Sequence, residues 1–137
     1  MSPVAQVLVI DDDPDFVEYV RIILETNGYA VLCAYNADHG LDLLRTKHPD
    51  IVLLDIMMSY KMTGLDVTRT IHQDSDLCTI PLIVISSVLP GAQALQDQVE
   101  PDSIAAFLTK PVEPSELLCL VAETIADYKN KTKSDSN

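Results

Sequence analysis

The chain has 137 residues, with nine basic and 21 acidic side chains, a formal net charge of −12 and 47% hydrophobic residues. That is one domain's worth of chain, apolar enough to close a core without disulfides or a structural metal, and its charge sets the surface against DNA, RNA and anionic lipid. No apolar run approaches the ~20 residues of a bilayer span, Met1-Ser2-Pro3-Val4-Ala5-Gln6 lacks the basic flank of a secretion signal, and Cys33, Cys78 and Cys119 are too few and too scattered for a disulfide framework, so a cytoplasmic protein with neither membrane nor nucleic-acid partners is expected.

Val7-Leu8-Val9-Ile10 is a short apolar run stopped by Asp11-Asp12-Asp13, the pattern of a buried strand. Asp13-Pro14 opens a helix, with Asp13 as N-cap and Pro14 at its first position. Phe16, Val20, Ile23 and Leu24 follow at helical spacing, and Asn27-Gly28 ends the helix. Ala30 to Tyr35 is a second strand, and Asn36 caps a helix carrying Leu41 and Leu44, closed by His48-Pro49. Ile51 to Leu54 is a third strand ending at Asp55, followed by a loop and a helix from about Leu65 to Gln73. Pro81 to Ile85 is a fourth strand ending at Ser86-Ser87, and Ala92 to Val99 is a weaker helix between Pro90-Gly91 and Pro101. Ala105 to Leu108 is a fifth strand ending at Thr109-Lys110-Pro111. Pro114 starts a last helix with Leu117, Leu118, Val121 and Ile125 on one face. Residues 1–128 thus form one domain, and 129–137 are a polar tail expected to be disordered. Cys33 in its strand and Cys119 in its helix read as small buried hydrophobes.

Five strands alternating with five helices predict an α/β fold. Continuously apolar strands imply a parallel sheet covered on both faces, with right-handed crossovers. In such a sheet every strand ends at the same edge, where ligands bind. Asp11 and Asp12 follow the first strand, Asp55 the third, Ser86 the fourth and Lys110 the fifth. Residues far apart in the chain therefore converge. Crowded carboxylates repel one another unless a cation joins them, and hard oxygen ligands suit Mg²⁺, which leaves room for a phosphoryl oxygen. A hydroxyl and an ammonium complete a cradle for phosphoryl charge.

With these residues in place the sequence resembles a receiver domain of two-component signalling, of the chemotaxis-type single-domain kind. Val7 to Pro14 is similar to the family's acidic motif, Asp50 to Met58 to its phosphoacceptor motif, Pro81 to Ser87 to its hydroxyl motif and Phe107 to Pro111 to its lysine motif. The likeness spans about residues 5 to 128. It implies a flavodoxin-like, doubly wound (βα)5 fold with strand order 2-1-3-4-5. It implies that Asp55 is the phosphoacceptor, that Asp12 and Asp55 ligate Mg²⁺ directly with Asp11 acting mainly through water, and that the Met57 carbonyl is a further ligand. Ser86 would bond the phosphoryl group, Lys110 would pair with it, and Ser86 with Phe107 would form the switch that reports it. The Lys110-Pro111 peptide would be cis. The donor would be a sensor histidine kinase or a histidine phosphotransfer protein. The output would be a downstream protein target, with a phosphorylation-dependent dimer among the permitted assemblies. Only nine residues follow the last helix, so no attached effector is expected.

Three features depart from the family pattern. Ser59 stands where proline is usual and Gly64 arrives one residue late, so the loop after Asp55 is one residue longer. Ser87 replaces the usual alanine, and Pro101-Asp102-Ser103-Ile104 lacks the common glycine before the fifth strand. Met57 and Val88 occupy the two positions that flank the water approach to the acyl phosphate. Neither side chain can hold water by a strong hydrogen bond, which predicts a long-lived phosphorylated state. A second function class reads Asp11-Asp12-Asp13 as the Asp-x-Asp of a Mg²⁺-dependent aspartyl-phosphate phosphatase of haloacid-dehalogenase type, with the phosphate on Asp11 and Asp13 as acid/base. It leaves Asp55 unexplained. A degenerate receiver that binds without phosphorylation is disfavoured by the complete set of Asp11, Asp12, Asp55, Ser86 and Lys110. His39, His48 and His72 are scattered over helices and read as surface residues.

Overall fold

A computed structural model of the chain describes residues 5–55, 70, 71, 73–75, 77, 79–86 and 106–135. In chain order its elements are β1 (Gln6–Ile10), α1 (Pro14–Thr26), β2 (Ala30–Ala34), α2 (Ala37–Lys47), β3 (Ile51–Asp55), β4 (Leu82–Ser86), β5 (Ala106–Thr109) and α3 (Pro114–Asp135). The strands form one sheet in the order β2-β1-β3-β4-β5, and every neighbouring pair is parallel. Helix expected at 65–73 appears at residues 70, 71 and 73, with the remainder outside the described residues; the helix expected at 92–99 and the 59–64 loop lie wholly outside them.

Alternation along the strands sorts the core into two layers. Val7, Val9, Ile51, Leu53, Ile83 and Ile85 meet Val17, Val20 and Leu24 of α1 and Leu117, Val121 and Ile125 of α3. Leu8, Ile10, Val52, Leu54, Leu82 and Val84 meet Leu41 and Leu44 of α2, with Ile71 and Leu77. Burial on both faces explains why the strands read as unbroken apolar runs. Gly40 lets α2 approach β1 closely, since a Cβ there would stand 2.5 Å from Ile10 Cδ1.

Local chemistry sets the helix ends. The Asp13 carboxylate accepts from the Asp15 N–H at 3.0 Å, capping α1 at its proline start. At the other end Gly28 takes φ 92°. Its N–H donates to the Glu25 carbonyl, and that of Tyr29 donates to the Leu24 carbonyl, both at 3.1 Å. That pair of bonds is a Schellman stop, which needs a left-handed residue where glycine costs least. Asn36 Oδ1 caps α2 through the His39 N–H at 2.8 Å. α2 ends at His48, a non-glycine residue at φ 47°, just before Pro49.

Two sequence expectations are corrected. Residues 129–135 are not a disordered tail, because α3 runs on to Asp135. The segment after Pro114 contains no glycine or proline to stop a helix, and lysine is a good helix former. Cys119 is exposed rather than buried. It lies two residues past buried Leu117, about 200° further round the helix, and its Sγ stands 3.4 Å from Glu123 Oε1. Cys33 is half-buried, as β2 is an edge strand, and Cys78 lies outside the described residues. The Lys110-Pro111 peptide is cis, as expected.

Candidate functional site

The parallel pairing brings the carboxyl ends of β1 and β3 together, with Ile10 in register with Leu54. Asp11 therefore follows β1 beside Asp55, the last residue of β3. Asp11 is 1% exposed and Asp55 5%, while Asp12 is half-buried. One ligand oxygen from each of the three lies within 4.8 Å of the other two. Lys110, directly after β5, reaches across the same edge. Its Nζ is 2.9 Å from Asp11 Oδ2 and 3.4 Å from Asp55 Oδ2.

Asp11 Oδ1 accepts the Asp13 backbone N–H at 2.9 Å. Asp11 Oδ2 is buried and accepts no aligned hydrogen bond, so the Lys110 contact is an ion pair by distance and not by angle. Burial pushes the Asp11 carboxyl above its ordinary value, and the Asp55 charge adds to this; Lys110 and the Asp13 N–H pull the other way without prevailing. Burial alone would lower Lys110, but the Asp11 and Asp55 carboxylates outweigh it and hold the ammonium above its usual range. A buried oxygen without an aligned donor, in a group of three carboxylates, fits a hard divalent cation such as Mg²⁺.

Of the expected site residues, Asp11, Asp12, Asp55 and Lys110 are thus brought together. Ser86 ends β4 with its Cα in register with Thr109, at the same edge. Phe107 lies in β5 in register with Val84. The Ser86 and Phe107 side chains, and the whole of Met57 and Val88, lie outside the described residues. Asp13, the acid/base of the phosphatase reading, is exposed and its carboxylate caps α1. His39 and His48 are exposed, and His72 lies outside the described residues.

Two residues at the site were not singled out from sequence. The Lys110 Nζ sits 4.2 Å from the centroid of the Phe16 ring. Tyr19 donates its hydroxyl to the Val112 carbonyl at 2.8 Å. Phe16 is a member of the apolar stripe of α1, and that membership conceals its second contact. The available signal was the aromatic pair at i, i+3 directly after an acidic strand end.

Comparison with known proteins agrees with this geometry. Residues 7–122 match the family described as response regulator receiver domain. The protein PilH of Pseudomonas aeruginosa is 32% identical over 129 residues, covering 89% of this chain and 98% of PilH. The polar-differentiation response regulator DivK of Brucella ovis is 26% identical, covering 89% of this chain and 94% of DivK. Among solved structures, a CheY-like receiver domain protein from Methanospirillum hungatei superposes with a TM-score of 0.81 over 96% of this chain and 99% of that one, at 22% identity. A family match across most of the chain, a relative of nearly equal length and a shared fold with the acidic cluster at its carboxyl edge lead to one conclusion: this chain belongs to the response regulator receiver domain family.

Proposed function

We propose that the protein is a phosphoacceptor of a two-component or phosphorelay system, phosphorylated on Asp55 in a Mg²⁺-dependent reaction. The observation that carries this reading is the meeting of Asp11, Asp12, Asp55 and Lys110 at one sheet edge. Asp55 attacks the phosphorus of a phosphohistidine; the new P–O bond forms as the P–N bond breaks, and the electron pair leaves with the imidazole. Asp11, Asp12, Asp55 and the Met57 carbonyl would hold the metal. When bound, Mg²⁺ supplies positive charge to the phosphoryl oxygens. Lys110 presents its ammonium to the same oxygens, where fixed charge lowers the barrier without reorganisation. The Ser86 hydroxyl bonds the transferred group, and Ser86 with Phe107 carries the change to the surface of β5 and α3.

This chemistry makes the chain a signalling phosphoacceptor and not a turnover enzyme. Its donor is a sensor histidine kinase or a histidine phosphotransfer protein, and its reader is a downstream protein. A net charge of −12 disfavours nucleic acid as the target. Among the described residues no helix is long and apolar enough to cross a membrane, and cytoplasmic placement fits a partner of that kind. The test is labelling by a small acyl phosphate with and without Mg²⁺. The parent should label only with Mg²⁺, and Asp55→Asn should not label. Full labelling of Asp55→Asn would place the acceptor elsewhere.

A further inference from the structure

The residues that perform the proposed transfer leave one feature unused. α1 directs two aromatic side chains at the turn that carries Lys110. Phe16 and Tyr19 are one helical turn apart, with ring centroids 6.4 Å from each other and planes tilted by 37°. The Lys110 ammonium lies over the Phe16 face at 4.2 Å. The Tyr19 hydroxyl holds the carbonyl of Val112, 93 positions away in sequence and itself 4% exposed. α1 is a rigid base for both, because Val17, Val20 and Leu24 are fully buried against the sheet.

We propose that Phe16 and Tyr19 are positioning residues for phosphoryl transfer, Tyr19 by anchoring the backbone of the 110–113 turn and Phe16 by supplying the face on which the Lys110 ammonium rests. This rests on the acceptor reading of Asp55. A lysine side chain is a flexible four-carbon stem ending in a compact charge, and such a charge is useful in transfer only where it is held. Its contact with Asp55 cannot hold it throughout. As Asp55 becomes an acyl phosphate, the ammonium must exchange a carboxylate oxygen for a phosphoryl oxygen. The ring contact involves neither carboxylate and survives that exchange. The hydroxyl bond, made to the backbone two residues beyond Lys110, fixes where the stem begins. Phe16 therefore limits the far end of the side chain and Tyr19 the near end.

The test compares the parent with Tyr19→Phe and Phe16→Leu, using a small acyl phosphate donor in saturating Mg²⁺. Each variant should label about three- to tenfold more slowly, the scale of one hydrogen bond or one cation–π contact. Calorimetric Mg²⁺ affinity should not weaken, because neither residue bears on the metal carboxylates. Phe16→Tyr, which keeps the ring face, should label near the parent rate. In the parent, the Lys110 methylene protons next to the ammonium should show an upfield ring-current shift by NMR, and Tyr19→Phe should reduce it. Parent rates in both variants would overturn the proposal. So would a fall in Mg²⁺ affinity parallel to the rate, or an unchanged Lys110 shift in Tyr19→Phe. A parent that takes no label overturns the acceptor reading itself, which keeps the two failures apart.

Discussion

Adding Mg²⁺ should raise the melting temperature, and Asp12→Ala should remove most of the rise. Without a cation Asp11 is buried with its carboxyl held above the ordinary 3.8 by that burial, so its ionisation opposes folding. A group raised in this way contributes stability that is fully present below its unfolded value and is lost as pH rises through its folded value. That contribution is lost once the carboxyl ionises, and a cation on the cluster offsets the loss. At about 100 times its dissociation constant a ligand adds roughly 2.7 kcal/mol. Unfolding entropy of about 2.1 cal/mol/K per residue, over 137 residues, converts this to a rise of about 9 °C. The rise should shrink as pH falls through the folded value of Asp11, since a protonated carboxyl is a poor ligand. Thermal melts monitored by far-UV circular dichroism, with NaCl at matched ionic strength as control, measure each effect. An equal rise in NaCl, or a full rise in Asp12→Ala, would refute a metal site at this edge.

Other perturbations probe separate parts of the molecule. Asp13→Ala removes the α1 cap and should cost about 1 kcal/mol in urea unfolding while leaving labelling of Asp55 intact. Leu24→Ala empties a fully buried site between α1 and the sheet and should cost about 2–5 kcal/mol by the same measurement. Met57→Asn with Val88→Glu should speed loss of phosphate about 10–100-fold, equivalent to about 1.4–2.8 kcal/mol of barrier; radiolabel decay in Mg²⁺ checks it, and an unchanged half-life would show that these two positions do not set the lifetime.

The strands were readable because two covered faces leave a run such as Ile51 to Leu54 without polar interruption. Their ends were misjudged by one residue for a related reason. Asp55, Ser86 and Thr109 are polar, but a ladder pairs backbones and includes them. The convergence of Asp11, Asp12, Asp55 and Lys110 followed from parallel topology alone, without knowledge of any side-chain contact. Phe16 and Tyr19 did not stand out, because periodicity records that a residue is apolar and not what else its ring touches. Likewise the lysines beyond residue 128 carry no apolar stripe, so nothing marked them as helical although nothing forbade it. The left-handed conformation of His48 had no glycine or asparagine to announce it.

The two-layer sorting of β3 bears on where the chain can change length. Removing one residue between Ile51 and Leu54 would exchange the sides on which Val52 and Leu54 face the α2 layer and Ile51 and Leu53 face the other, and would draw Asp55 back from the edge it shares with Asp11. An insertion after Asp55 disturbs neither relation, because the pairing with β1 is complete by Leu54. The extra residue between Asp55 and Gly64 is placed on the tolerant side of that boundary. Length variation in this domain is therefore directional. Gains and losses within the strand that carries the acceptor are screened by the core, while one added directly after it leaves that register untouched.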